Sequence, residues 1–209
     1  MRLFGMYEVF KTNMEGSIKE TLTPDQFIAM LVNSEWDDRQ NKSITRPIKL
    51  ANFHYKASLE QLDYSVERGL DKNEVHRLAS LDFIKEHKDL FITGSTGTGK
   101  SYLASALGFH ACQMGYRVLY ASTAKLMGQL KLAKAKGTNL TELRRIERTY
   151  LLILDDFGLQ PFDSQARVTL LDIIEDRHGK RSTLITSQIP VKEWYDIIGE
   201  KTIADAVLD

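Results

Sequence analysis

Apolar residues recur along this chain in two rhythms. The first is helical. Thr23-Pro24-Asp25-Gln26 is a helix-start signal: a Thr N-cap, Pro at the first helical position and Gln at the third. Phe27, Ile28, Leu31 and Val32 follow on one face, and the helical pattern runs from Leu3 to about Ser58. A second start, Asp71-Lys72-Asn73-Glu74, opens a helix that turns Val75, Leu78 and Leu81 inward. From Asp89 onward the rhythm changes to short continuous apolar runs, at 89–93, 117–121, 150–154 and 182–186. Runs that are apolar on both faces read as parallel strands covered by helices on both sides. Helical stretches lie between them: from Tyr102 to a stop at Gly115, from Ser122 to Lys136, from Thr138 to Arg148, and from Asp163 to a stop at Gly179. The alternation predicts an α/β fold with four parallel strands, preceded by a small all-α domain. The expected organisation is a helical domain over 1–58, a linker and helix over 59–88, and the strand-bearing core over 89–209.

The chemistry concentrates where these strands end. Between the run at 89–93 and the helix that follows lies Gly94-Ser95-Thr96-Gly97-Thr98-Gly99-Lys100-Ser101, which fits the phosphate-loop pattern GxxxxGK[ST] at every fixed position. A bend between strand and helix aims successive N–H groups at an anion, with the positive end of the helix dipole behind them. Lys100 would reach the β- and γ-phosphates of a nucleoside triphosphate, and the Ser101 hydroxyl would ligate Mg²⁺; Tyr102 continues the loop into the helix. Leu151-Leu152-Ile153-Leu154 ends in Asp155-Asp156. Ligands of open α/β sheets sit at the carboxyl ends of the strands. Asp155 is therefore the candidate metal carboxylate, and Asp156 the candidate that orients or deprotonates a water. The last strand ends in Thr186-Ser187-Gln188, where Gln188 or Ser187 could touch the γ-phosphate.

Composition narrows the class. The 209 residues hold 28 Lys plus Arg against 28 Asp plus Glu, so global charge points to no polyanion. The single cysteine, Cys112, reads as a buried structural thiol. No apolar stretch approaches the length of a membrane span and no signal-peptide core is visible, so a soluble cytoplasmic protein is expected. Charge is instead local. Between Arg39 and Leu59 there is no acidic residue, while Arg39, Lys42, Arg46, Lys49 and Lys56 are positive and Phe53, His54 and Tyr55 lie among them. A second basic stretch holds Lys125, Lys131, Lys134, Lys136, Arg144, Arg145 and Arg148 against Glu142 and Glu147. Both are candidates for contact with duplex DNA through its phosphates. On the second stretch, Leu126, Leu130, Leu140, Leu143 and Ile146 require a core. Arg177, at a helix C-terminus, is a candidate for contact between subunits, and Tyr55 and Tyr64 are candidates to border a base.

A more specific signal is the ordered set Ala104-Leu107-Gly108, LLILDDFG at 151–158, TSQIP at 186–190 with Trp194 beyond, and the terminal Ala204-Asp205-Ala206-Val207-Leu208-Asp209. With Glu35-Trp36-Asp37-Asp38-Arg39 near the start, it resembles the IstB-like ATPases. These are transposition helpers of bacterial insertion sequences and relatives of the DnaC helicase loader within the AAA+ class. The resemblance implies an AAA+ core, ATP and Mg²⁺ as cofactors, self-association into an oligomer, duplex DNA as ligand and a transposase as partner. By position, Lys100 and Ser101 match the first nucleotide motif, Asp155 and Asp156 the second, and Gln188 the sensor. Two departures stand out. The second acid is Asp where Glu is commoner in the class. The family also usually continues after Ala-Val-Leu-Asp with an Arg that completes a neighbour's site and with a last strand, and both fall outside a sequence ending at Asp209. Hydrolysis is thus expected to be slow, or to need oligomer, DNA or partner. The competing readings are a helicase loader acting on single-stranded DNA, and a small-molecule kinase, which lacks a visible acceptor pocket and Arg-rich lid.

Overall fold

The computed structural model describes residues 3–16, 22–65 and 69–208; Asp209, from the terminal stretch above, lies outside them. The chain divides into two compact units, residues 1–46 and 47–209.

In the first unit, α1 (Phe4–Met14) packs with the first part of α2 (Pro24–Ala51). The start signal at Thr23 closes as a reciprocal cap. Thr23 Oγ1 accepts the Gln26 N–H at 3.3 Å, and Gln26 Oε1 accepts the Thr23 N–H at 3.0 Å. No side chain caps α1 locally. Instead Glu35, on α2 and buried, accepts the N–H groups of Gly5 at 3.0 Å and Met6 at 3.4 Å. A carboxylate at a helix N-terminus suits both the free donors and the dipole. The Arg39 guanidinium, 2.8 Å away, is the main cause that holds the Glu35 carboxyl below its ordinary value.

The division between units falls at Pro47, inside α2, where the helix lacks one N–H. The helix ends at Ala51 rather than near Ser58, because Asn52 adopts a left-handed φ of 61°. Ala51 is fully buried in the core of the second unit, with Phe53 packed against the same cluster. The boundary expected after residue 58 therefore moves back to Arg46.

The second unit holds a sheet of four parallel strands, β1 (Leu90–Thr93), β2 (Val118–Ser122), β3 (Leu151–Asp155) and β4 (Ser182–Ser187), in the order β1-β4-β3-β2. The two central strands are buried at every position. Expected to be buried, β1 is an edge strand whose apolar residues are only half covered. Successive side chains point to opposite faces. Leu151, Ile153 and Leu184 thus join one cluster with α3 (Lys72–Ala79), α4 (Asp82–Lys85) and α5 (Lys100–Gln113). Leu152, Leu154 and Ile185 face a second cluster. It is built from α6 (Thr123–Ala135), α7 (Asn139–Glu147), α8 (Ser164–Arg177), α9 (Trp194–Ile198) and α10 (Lys201–Leu208). Helix α5 lies close on the sheet because Gly108 has no side chain: a Cβ there would come within 2.6 Å of Phe53 and 2.7 Å of Ile153. Cys112 on α5 is fully buried, and burial pushes its thiol up to about 12, so it is an inert packing residue. Leu140, expected in the core, is 68% exposed, since α7 buries only Ile146 fully. No helix among the described residues is long and apolar enough to cross a membrane.

Arg177 closes the end of the sheet opposite the loop and is 1% exposed. Its Nη1 donates to Ile146 O at 3.0 Å and Thr149 O at 3.1 Å, its Nε to Thr183 Oγ1 at 3.2 Å, and its Nη2 to Ser182 O. One guanidinium thus satisfies the carbonyls that end α7 and begin β4, and burial pulls it down to about 10. A side chain used up in this way has nothing left for a neighbouring subunit, which corrects the inter-subunit role considered above. Arg177→Met is expected to lower stability by roughly 3 kcal/mol, because several buried acceptors lose their donor. Arg177→Lys recovers little of that, since one ammonium lacks the fork that reaches both elements. Denaturant unfolding of the three proteins measures both differences.

Candidate functional site

The order β1-β4-β3-β2 brings the loop after β1 beside the carboxyl ends of β4 and β3. Residues 94–99 form the turn and α5 starts at Lys100. Gly99, at the N-cap, has φ 90°, a conformation that a side chain resists. Lys100 Nζ donates to Ser95 O at 2.7 Å, and Thr98 Oγ1 donates to the same carbonyl at 2.9 Å. The ammonium therefore lies over the cradle of its own loop. An open cleft of ≈ 540 Å³ is lined by Thr96, Gly97, Lys100, Ser101, Asp156 and Gln188, among others. A volume of this order suits a small organic ligand.

The floor of the site is Asp155, 5% exposed at the end of β3. Ser101 Oγ donates to its Oδ1 at 2.8 Å, Thr186 Oγ1 donates to the same oxygen, and the Tyr120 phenol donates to Oδ2. The Asp155 backbone carbonyl accepts from Thr123 Oγ1 at 2.9 Å. Burial is the first cause, and the hydrogen bond to Asp155 the second, that pushes the Tyr120 hydroxyl far above its ordinary value, so it stays a donor. Asp156 is different. It turns into the cleft on a left-handed φ of 55°, with its N–H held by Thr186 Oγ1 at 3.2 Å. Its carboxyl sits above the ordinary aspartate value because surrounding protein displaces water and Asp155 adds like charge; Lys100 and His54 oppose the shift.

The residues singled out on the loop, the acid pair and Gln188 are thus brought together in one place. Gln188 Oε1 accepts from Thr96 Oγ1, so the residue just after β4 touches the loop directly. Ser187 does not reach the cleft. It is fully buried, donating to Phe157 O at 2.8 Å and accepting from Ile189 N–H at 3.0 Å. Tyr102 Oη lies 3.4 Å from the Ser58 N–H and 3.4 Å from Gln61 Oε1. Tyr102 also borders a second cleft, of ≈ 500 Å³, whose walls include Leu62, Leu70, Leu78 and the edge strand β1. Tyr55 lines the phosphate-side cleft, whereas Tyr64 lies beneath the Lys72 ammonium, 5.9 Å away, and lines neither. Tyr120, Thr123, Thr186 and the walls at Leu62 and Leu70 carried no sequence signal, because a hydroxyl within an apolar strand reads as packing.

Ser101 and Asp155 offer a pair of hard oxygen donors, the kind Mg²⁺ prefers, and no three acidic, His or Cys side chains cluster as a metal cage among the described residues. That donor set fits a magnesium ion, which Ser101 and Asp155 would hold.

A family model described as IstB-like ATP binding protein matches residues 1–209, the whole chain. The chain belongs to this family. An insertion sequence ATP-binding protein of Sinorhizobium fredii is 41% identical over 209 residues, covering 100% of the chain and 85% of the relative. The ATP-binding protein of insertion sequence IS21 from Pseudomonas aeruginosa is 29% identical, over 94% of the chain and 74% of the relative. Among solved structures, AMPPCP-bound DnaA from Aquifex aeolicus superposes with TM-score 0.65 at 22% identity, over 74% of this chain and 48% of DnaA. The DnaC helicase loader gives TM-score 0.58 at 23% identity, over 65% of this chain and 82% of the loader. The chain spans about half the length of that DnaA, and the likeness establishes an AAA+ fold.

The basic residues are less convergent than the loop. In the first unit, Arg39 pairs with Glu35, and Lys42 pairs with Asp38 at 2.6 Å while lying 4.5 Å above the Phe4 ring. Arg46, Lys49 and Lys56 are exposed and enter no ion pair among the described residues. On α6 and α7, Lys131 pairs with Asp163 at 2.9 Å and Arg145 lies 3.7 Å from Glu142, while Lys134, Lys136 and Arg144 are exposed and outside these pairs.

Asp156 has a stability consequence. A carboxyl whose folded value is raised contributes stability below the ordinary aspartate value and loses it as pH rises through the raised one. Asp156→Asn is therefore expected to melt slightly above the wild type at pH 7, with the gap closing below about pH 4. Thermal melts across that range check the sign.

Proposed function

We propose that this protein is an ATP-dependent, DNA-binding AAA+ regulator that oligomerises on target duplex DNA and assists a transposase, with hydrolysis of ATP resetting the assembly. The observation that carries the reading is the 2.8 Å contact between Ser101 and Asp155. It joins a complete phosphate loop to a buried carboxylate at the end of β3, within a family whose relatives are ATP-binding proteins of insertion sequences.

In this reading the loop N–H groups and Lys100 hold the phosphates, and the purine lies in the cleft walled by Leu62, Leu70 and Tyr102. Ser101 and Asp155 hold Mg²⁺, which neutralises phosphate charge when bound. Asp156 orients the attacking water, and Gln188 contacts the terminal phosphate from β4. The Asp156 carboxylate arm is one methylene shorter than that of Glu, which favours slow turnover. The unpaired basic residues Arg46, Lys49, Lys56, Lys134, Lys136 and Arg144 supply phosphate contacts on DNA, with Arg39, Lys42, Lys131 and Arg145 able to exchange a carboxylate partner for a phosphate. Such contacts are weakly sequence-specific and gain strength through assembly, because each added subunit multiplies them.

The test is binding to a random-sequence duplex with and without ATP–Mg²⁺ across a salt series. Binding is expected only with ATP–Mg²⁺, and its log affinity should fall by roughly 0.9 per decade of salt for each phosphate neutralised. Lys100→Ala should remove nucleotide binding and assembly together; ATP-stimulated assembly retained in that variant sinks the proposal. Binding to single strands in place of duplex would move the function to helicase loading.

A further inference from the structure

Thr186 occupies an unusual position in the site. It is 1% exposed, one residue before the end of β4, beside the point where β3 leaves the ladder. Three bonds tie it to three successive residues of that departing chain. Its hydroxyl donates to Asp155 Oδ1, the same hydroxyl accepts the Asp156 N–H at 3.2 Å, and its carbonyl accepts the Phe157 N–H at 2.9 Å. The roles of the hydroxyl are not interchangeable. An ionised carboxylate only accepts and an amide N–H only donates, so the single Thr186 proton must point at Asp155 and a lone pair at Asp156. On the far side of the carboxylate, the buried Tyr120 phenol holds Oδ2.

We propose that Thr186 and Tyr120 form a positioning clamp that fixes the Asp155 carboxylate for the metal and holds the left-handed turn that aims Asp156. The proposal rests on the nucleotide-site reading above. The turn at Asp156, φ 55°, is a conformation that non-glycine residues seldom adopt and that persists only where surrounding bonds over-determine it. The bonds to Thr186 supply that constraint. Ser101 can serve both groups: its hydroxyl gives its proton to Asp155 and keeps its lone pairs for a cation, while the clamp keeps Asp155 where it is. Gln188, two residues beyond Thr186, bonds the loop through Thr96. The end of β4 thereby joins the phosphate loop to both acids.

The experiment uses the full chain and two readouts: affinity for a fluorescent ATP analogue titrated with Mg²⁺ against an EDTA control, and ATP turnover. Thr186→Val keeps the shape of the side chain but leaves Asp155 short of a donor and the Asp156 N–H without an acceptor. It is expected to raise the Mg²⁺ concentration needed for half-maximal effect by about tenfold and to lower turnover by about 10- to 100-fold, the range for residues that orient metal ligands. Affinity in EDTA stays at the wild-type value. Thr186→Ser, which keeps the hydroxyl, stays within about threefold of wild type in both readouts. Tyr120→Phe shifts the Mg²⁺ requirement in the same direction by a few-fold, and it carries the test should Thr186→Val fail to fold. Wild-type Mg²⁺ dependence in Tyr120→Phe and Thr186→Val, or equal impairment of the Val and Ser variants, overturns the clamp while leaving nucleotide binding intact. A wild-type chain whose ATP affinity ignores Mg²⁺ overturns the clamp, and a wild-type chain that binds no ATP analogue in either condition overturns the nucleotide-site reading itself.

Discussion

The geometry of the site depends on one buried carboxylate. Asp155 is removed from water at the end of a fully apolar strand, where an unpaired charge would be severely destabilising. It persists because three hydroxyls, from α5, β2 and β4, donate to it. Each donor belongs to a different element, so satisfying the charge also fixes how those elements meet. The loop reaches Asp155 through Ser101, the far strand through Tyr120, and the strand between them in the fold through Thr186. The same group that would hold a metal therefore sets the register of everything around the metal.

The opposite end of the sheet is closed by a complementary device. Arg177 is a buried cation that bonds mainly to backbone carbonyls and hydroxyls, with the charge of Asp89 nearby. Between these poles the strands are apolar on both faces and carry no polar anchor of their own. Packing on both faces makes the sheet stiff, and the two polar poles specify where it begins and ends. The division of labour also explains the inert Cys112 and the absent side chain of Gly108: both let α5, which presents the loop, lie directly on the strands.

Much of this was legible in the sequence because it rests on local chemistry. A capping box is a short-range agreement between Thr23 and Gln26, and it forms as read. The strands announced themselves as short apolar runs, and the loop by fixed positions that leave few alternatives. Long-range adjacency was not legible. Nothing in Arg117–Ala121 says that Tyr120 will face an aspartate on the neighbouring strand, because the strand order that creates the contact is a property of the whole crossover. Leu140 shows the same limit from the other side: its spacing fits a buried face, but only Ile146 of α7 is fully buried. Arg177 looked like a cation at a helix end, which dipole physics favours anyway, and only the fold shows that its fork is fully used. The helix that ran on to Ser58 in the pattern stopped at Ala51 because Asn52 turned left-handed, a choice that composition does not reveal.

The chemistry of Asp156 bears on what kind of machine such a site can be. A short carboxylate on a strained turn reaches less far towards a water than a longer arm would, although burial and the like charge beside it raise its basicity. An enzyme selected for throughput would gain from a longer arm that reaches the water without strain. A switch gains from the reverse, because the bound triphosphate must outlast the search for DNA and a partner. Under the proposed function, slow chemistry would let assembly, rather than turnover, determine how long the nucleotide-bound form persists. On this view the acid pair divides the work unequally. Asp155 is over-determined by its donors and supplies a fixed point, while Asp156 is exposed in the cleft and held only through its backbone.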